Sequence, residues 1–362
     1  MRSRDRVLTA LAFEEPDRVP VDYKVRRDVS ERLAAHVRAR DQEDLQRRLG
    51  IDFRGVSVRE HHAAFEARAT GTLGRDMEKR GQRFAFRADG AYEDAWGIVF
   101  RPGADGVYEQ WISGPFAASD DLASFAWPGM DIFEPVAAVR DRVEAWKGEY
   151  ALVTSVNYPF KICWQMRGLE NFLCDMLLEP DFARELWRRV ASYEQEKAAR
   201  AAAAGVDIVA FVGDIAMQNR LLLSVPAWRA IDKPLFAGMI AAVKRANPSV
   251  RIMYHSDGDL REVIDDLIEI GVEILNPIQP ESMVPGELKR RYGRRLVLNG
   301  AVSIQRTLPF GTVEDVRAEI RGLIADCAPG GGFILAPSNH VLADVPFENI
   351  LEVYRAAGSM AR

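Results

Sequence analysis

Six short apolar runs in this sequence are each followed at once by residues that can hydrogen-bond, ionise or hold a metal. Val156 leads to Asn157 and Tyr158, Val212 to Gly213 and Asp214, and Tyr254 to His255, Ser256 and Asp257. Leu275 leads to Asn276, Leu298 to Asn299, and Leu335, after Ala336 and Pro337, to Ser338, Asn339 and His340. His255 and Asp257 stand at i and i+2, which in an extended segment puts both side chains on one face. Such a pair suits two ligands of one metal, or a base with its orienting carboxylate. His340 offers a third nitrogen, so the candidate metal set is His255, Asp257 and His340; the candidate catalytic set is His255, Asp257 and Asp214. The same residue types also cap helices and open turns, and Asp257-Gly258-Asp259 reads equally well as a turn.

Further candidates lie outside these runs. Arg26 and Arg27 follow an extended segment, where a guanidinium could grip a substrate carboxylate in a bidentate way. Tyr92, Trp96, Tyr108 and Trp111 could line a pocket for a flat substrate or form a small satellite core. His61-His62 reads as a solvated turn or as part of the same rim. Asn157, Tyr158, Gln218, Asn276, Asn299 and Asn339, with Arg26, Tyr92 and Trp96, make up the candidate substrate-binding set.

The elements that must position these residues alternate regularly after about Tyr150. Apolar runs at Ala151 to Val156, Ile208 to Val212, Val250 to Tyr254, Glu273 to Leu275, Leu296 to Asn299 and Phe333 to Leu335 read as strands. Helical periods cover Asp181 to Ala204, Ala227 to Ala246, Leu260 to Ile270, Val313 to Cys327 and Pro346 to Ala357. Near-continuous apolar strands alternating with helices imply a parallel sheet covered on both faces. Ile51 to Val58 is a seventh strand candidate and the irregular N-terminal half has room for an eighth, so the pattern fits an α/β fold with a single (βα)8 TIM barrel better than an open doubly wound sheet, its chemistry at the C-terminal strand ends. Before Tyr150 the chain is irregular: helices are expected over Arg4 to Phe13 and Val29 to Leu49, and residues 60–130, with a hairpin at Phe84 to Trp111, form an expected lid over the mouth.

Composition narrows the function. With 48 Lys+Arg against 53 Asp+Glu, the net charge of −5 gives no basic face for a nucleic-acid backbone. Cys163, Cys174 and Cys327 are too few and too far apart for a disulfide framework, which suits a reducing compartment. The charged opening Met1 to Val7, with no apolar stretch behind it and no long apolar run elsewhere, predicts a cytoplasmic protein without a membrane span. Gly330-Gly331-Gly332 precedes its strand rather than following one, and no dinucleotide or Walker A pattern occurs, so neither NAD nor ATP is expected.

Several stretches resemble the uroporphyrinogen decarboxylase superfamily: Glu15-Pro16-Asp17-Arg18-Val19-Pro20-Val21, Tyr254-His255-Ser256-Asp257-Gly258, Leu275 to Pro280, Leu308-Pro309-Phe310-Gly311-Thr312 and Gly330 to Pro346. The resemblance runs in order over essentially the whole chain and implies a (βα)8 barrel, commonly dimeric. It also implies either a decarboxylase or a zinc-dependent methyltransferase that handles methylated corrinoids and related carriers. True uroporphyrinogen decarboxylases carry Met-Arg-Gln-Ala-Gly-Arg-Tyr after the opening Pro-Val, where this chain reads Asp22-Tyr23-Lys24-Val25-Arg26-Arg27-Asp28. Asn339 also stands where they have His. His255 to Gly258 is similar to the methyltransferases' His-x-Cys-Gly zinc motif, with Asp257 in the cysteine place and Asn339 replacing a second cysteine.

With this resemblance the sequence predicts a methyltransferase or demethylase of a small methylated substrate, aromatic ones included. The methyl would go to a corrinoid protein, with methylcorrinoid as carrier, or to tetrahydrofolate, and zinc would be the metal. One alternative is a small-acid decarboxylase in which Arg26 or Arg27 holds a carboxylate and Asp52 or Asp214 handles the proton. Another is a catalytically silent corrinoid- or partner-binding barrel. On either enzyme reading the many carboxylates of uroporphyrinogen find too few convergent cations here. Incubation with uroporphyrinogen is expected to give no coproporphyrinogen; formation at a true decarboxylase's rate would put the decarboxylase reading first.

Overall fold

The computed structural model describes residues 1–61, 85–103 and 109–360. Thirteen strands occur among them: β1 (Phe53–Gly55), β2 (Ala85–Phe86), β3 (Tyr92–Glu93), β4 (Val99–Pro102), β5 (Glu109–Ser113), β6 (Ala151–Asn157), β7 (Ile208–Val212), β8 (Ala216–Met217), β9 (Arg220–Leu221), β10 (Arg251–His255), β11 (Ile274–Ile278), β12 (Val297–Val302) and β13 (Phe333–Pro337). Seven of them pair in parallel in the order β1-β6-β7-β10-β11-β12-β13, with helices between successive strands. This is an α/β fold built on a curled parallel sheet.

Side-chain parity divides each strand between two cores. Ala151, Ile208, Ala210, Met253, Ile274, Val297 and Ile334 meet Phe53 inside the curl, together with Val7 and Leu11 of the opening helix Ser3–Leu11. The alternate residues, among them Leu152, Val156, Val209, Phe211, Ile252, Tyr254, Leu275, Leu298 and Leu335, pack outward against the helices. A strand buried on both faces must be apolar throughout, which is why these runs look continuous in sequence. Tyr158, one residue past Asn157, has the outward parity: it is fully buried, its hydroxyl donates to Asp232 Oδ1 at 3.2 Å, and its ring lies edge-on to Phe236.

The two edges of the sheet meet through the opening segment. Val21 pairs in parallel with Leu335 of β13, while the Asp52 N–H donates to Val21 O at 3.1 Å just before β1. Asp52 is fully buried, and its carboxylate accepts from Arg6 Nη1 at 2.7 Å, Arg18 Nη1 at 2.7 Å and the Val21 N–H at 2.9 Å. Asp52 therefore sits at the N-terminal end of β1, neutralised by two guanidiniums, and not among the strand ends where the alternative decarboxylase reading needs it.

Two expected helices are each split. Val29 to Leu49 becomes Arg27–His36 and Gln42–Leu49, because Arg38 takes a left-handed backbone (φ 55) and the Asp41 side chain caps the second helix by accepting from Asp44 N–H. Ala227 to Ala246 becomes Val225–Ala230 and Asp232–Ala246. Pro234 near the start of the second lacks an N–H and would clash with a preceding helical carbonyl. The helix Val313–Cys327 has the expected bounds and opens on a reciprocal Thr312–Asp315 capping box.

The hairpin expected at Phe84 to Trp111 is a small antiparallel sheet, β2-β3-β4-β5. It packs on helices that follow β6: the Trp111 Nε1–H donates to Gln165 O at 2.7 Å, and Trp96 lies edge-on to Tyr193 with centroids 4.9 Å apart. Tyr92 is buried between Phe86 and Phe100. Tyr108 and His62 lie outside the described residues. No helix among those described is long and apolar enough to cross a membrane.

Two stability measurements follow from these buried carboxyls. Asp52→Asn weakens the ion pairs of two largely buried guanidiniums and is expected to cost about 3–5 kcal/mol, read as a lower urea midpoint; an unchanged midpoint would show that Asp52 does not tie the edges. Asp232 accepts from Trp187 Nε1–H at 2.8 Å as well as from Tyr158, and burial pushes its carboxyl up to about 7. A carboxyl whose folded pKa exceeds its unfolded value favours the folded state most at low pH, and that contribution fades as pH rises through the folded pKa. Between about pH 4 and 7 the wild type should lose stability relative to Asp232→Asn, whose amide copies the protonated acid; parallel stability curves would contradict this.

Candidate active site

Inside the curl, the residues that continue the inward parity beyond the apolar floor are polar. On β10 the series runs Met253, His255, Asp257; on β11, Ile274, Asn276; on β12, Val297, Asn299; and after β7 comes Asp214. The parallel register sets His255 beside Asn276. The C-terminal strand ends thus carry an acid–imidazole–amide layer directly above hydrocarbon, with Asn276 and Asn299 buried and Asp214 open to solvent.

Asp214, His255 and Asp257 converge: one ligand atom from each lies within 4.8 Å of the other two. The Asp257 N–H donates to Asp214 Oδ1 at 2.9 Å, and Asp257 Oδ2 accepts from Asn339 Nδ2 at 2.5 Å. Asp257 Oδ1 is buried with no hydrogen-bond partner. Desolvation, and then the charge of Asp214, push the Asp257 carboxyl up to about 7 against the opposing bond from Asn339. Desolvation holds the His255 imidazole below its usual range, so at neutral pH the ring is uncharged. A neutral imidazole beside two carboxyls, one with an orphaned oxygen, is a donor set that fits a divalent cation taking N and O ligands.

The turn that delivers Asp257 depends on the next residue. Gly258 has φ +90, and a Cβ there would stand 2.3 Å from Met217 O in the β8–β9 hairpin. Its N–H donates to Gln279 Oε1 at 3.1 Å. Only glycine meets both the left-handed backbone and the close approach.

The other expected site residues divide clearly. Asn276 and Asn299 join the layer through His255, but both are shut off from solvent and bonded to one another. His340 is exposed, its Nδ1 3.2 Å from Asn339 Oδ1, and it is not in the convergent trio; Asp214 takes the third corner that the sequence reading gave to His340. Asn157 is held by Glu194, both its N–H and its amide donating to that carboxylate at 2.9 Å. Gln218 is exposed and bridges to Gln305 at 3.0 Å. Tyr158 points into the outer core, away from this layer, because it falls one position out of register with the inward residues. Tyr92 and Trp96 are buried in the packing of the small sheet. Arg26 pairs with Asp28 at 2.6 Å and Arg27 with Glu31 at 2.8 Å, so each guanidinium already holds a carboxylate in the first turns of the helix Arg27–His36. His61 is exposed and its N–H donates to Ile132 O.

Sequence reasoning missed Lys24 and Lys161, whose charges act on His255. Lys24 arrives on the segment that lies along the end of β13, where its carbonyl accepts from the Val341 N–H. Lys161 sits in the first turn of the helix Pro159–Arg167. Neither stands directly after an apolar run, so the strand-end pattern could not find them.

Comparison with known proteins agrees with this architecture. The solved structure of a methyltransferase from Methanosarcina mazei superposes with a TM-score of 0.70 at 18% identity, covering 99% of this chain and 98% of that one. A B12-independent methionine synthase from Shewanella sp. W3-18-1, in complex with selenomethionine, gives a TM-score of 0.43 at 14% identity over 95% of this chain and 93% of that one. No curated protein matches by sequence. Residues 122–360, which include every strand from β6 to β13 and all of the trio, match the family described as uroporphyrinogen decarboxylase (URO-D). The chain belongs to the uroporphyrinogen decarboxylase family.

Proposed function

We propose that this protein is a methyltransferase that removes the methyl group of a small methylated substrate and passes it to a corrinoid protein or a folate. The observation that carries this reading is the convergence of Asp214, His255 and Asp257 at the C-terminal strand ends. The likeness in fold to the Methanosarcina methyltransferase supports it. We also read the residues around Val21 as the eighth stave of a (βα)8 barrel, and the small aromatic sheet as a cover over its mouth.

In this reading Asp214, His255 and Asp257 would hold a divalent ion, zinc being the metal that the resemblance to the methyltransferase branch implies. Bound there, the ion would supply Lewis acidity, favouring the thiolate form of a thiol or drawing charge from a leaving oxygen. The chain's own residues do the rest. Asn339, in the place of a metal-binding cysteine, donates to Asp257 and fixes which carboxylate oxygen stays open. The Asp257 N–H holds Asp214 in turn, so the two acids are set against one another before any ligand arrives. Lys24, itself 3.6 Å from Asp22, and Lys161 act on His255 with positive charge, the sign that an anionic group on the substrate or acceptor would meet there. In the transfer itself the methyl carbon leaves its heteroatom, which keeps the bonding pair, and takes a new pair from the acceptor nucleophile.

The decarboxylase reading loses its supports in part: Asp52 is bound by two arginines at the far end of β1, and Arg26 and Arg27 are paired with the nearby Asp28 and Glu31. Protein purified without chelator is expected to carry one divalent ion per chain and to demethylate methylated donors when a corrinoid protein or tetrahydrofolate is supplied. His255→Ala should fold normally, lose the ion and fall by roughly 10² or more in rate. A metal-free wild type with no methyl transfer, or a fully active His255→Ala, would overturn the proposal.

A further inference from the structure

His255, Asn276 and Asn299 form a lateral row on the adjacent strands β10, β11 and β12. His255 Nδ1 lies 2.6 Å from Asn276 Oδ1, and Asn276 Nδ2 donates to Asn299 Oδ1 at 2.7 Å. Both amides are buried, Asn276 at 2% and Asn299 at 0% exposure. Burying two amides beside an imidazole is costly compared with the Ile and Val that fill the layer below, and one donor, Asn299 Nδ2, is left without a partner. Stability alone gives no reason to keep such a row.

Orientation gives one. The NH2 of Asn276 is committed to Asn299, so its carbonyl faces the imidazole, and a carbonyl can only accept. An uncharged imidazole has a single N–H, which must then be on Nδ1. We infer that Asn276, oriented by Asn299, is a positioning residue that fixes His255 as the Nδ1–H tautomer and leaves the Nε2 lone pair for the ligand shared with Asp214 and Asp257. The purpose of this device rests on the metal-holding role proposed above; the tautomer itself does not. Carbonyl partners of this kind set the ring orientation and basicity of metal-binding histidines, and losing them weakens metal affinity by 10–100-fold.

The test uses the whole chain with 15N-labelled histidine and no metal. His255 is expected to show a pyrrole-like Nδ1 and a pyridine-like Nε2 at neutral pH; the reverse assignment would overturn the inference whatever the metal affinity. Co(II) titration then follows the consequence. Asn276→Leu, similar in size but without hydrogen bonds, should bind Co(II) about 10–100-fold more weakly, while Asn276→Asp, which keeps an acceptor toward Nδ1–H, should restore both tautomer and binding. Asn276→Leu binding Co(II) as tightly as wild type would also overturn it, and should that variant fail to fold, the wild-type spectrum still decides. A wild type with the expected tautomer that binds no Co(II) would sink the functional proposal and leave the relay standing.

Discussion

The architecture depends on one buried carboxylate. Asp52 joins the opening helix through Arg6, the following loop through Arg18, the Val21 segment through its N–H, and β1 through its own backbone. A curled parallel sheet has two edges with unmet backbone groups, and those groups are costly if left unpaired. Asp52 brings together the pieces that meet them: Val21 lies against Leu335 of β13 while receiving the Asp52 N–H beside β1. The charge is tolerable in a dry position because two guanidiniums and an amide share it.

With its edges joined, the sheet has a distinct inside, and parity then fixes what stands there. Two residues per inward step place a hydrocarbon layer at Met253, Ile274 and Val297 and a polar layer at His255, Asn276 and Asn299. The apolar floor governs the chemistry above it. It desolvates His255 and Asp257, which keeps the imidazole uncharged and, together with the charge of Asp214, pushes the Asp257 carboxyl up. In solution the same side chains would be a protonated-or-neutral histidine and two ordinary carboxylates with no shared task.

The departures from the methyltransferase motif gain a physical meaning in this setting. An aspartate in the cysteine place is a harder donor, and an asparagine in the other cysteine place cannot give a thiolate at all. Asn339 instead steadies Asp257, and Asp214 supplies the third corner from the end of β7. Asp214, His255 and Asp257 are thus a set of one imidazole nitrogen and carboxylate oxygens with no sulfur, a donor type that suits ions accepting carboxylate and imidazole together.

By itself the sequence determined the α/β alternation, all seven parallel strands to within a few residues, and the pair His255 and Asp257, because these rest on local rules: apolar runs, helical period and the i, i+2 spacing of an extended chain. It also located the polar strand ends from which Asp214, Asn276, Asn299 and Asn339 come. Only the tertiary structure decided which of these meet. His340 gave way to Asp214 because convergence across strands depends on register, which no spacing along one segment encodes. Tyr158, one residue out of parity, and Arg26 and Arg27, paired with Asp28 and Glu31 close by in the chain, left the candidate set for local reasons, whereas Asp52 left because its charge is taken by Arg6 and Arg18, which only folding brings near. Lys24 and Lys161 entered for the same reason, since the field of a charge reaches across space and leaves no trace in the local pattern of the chain.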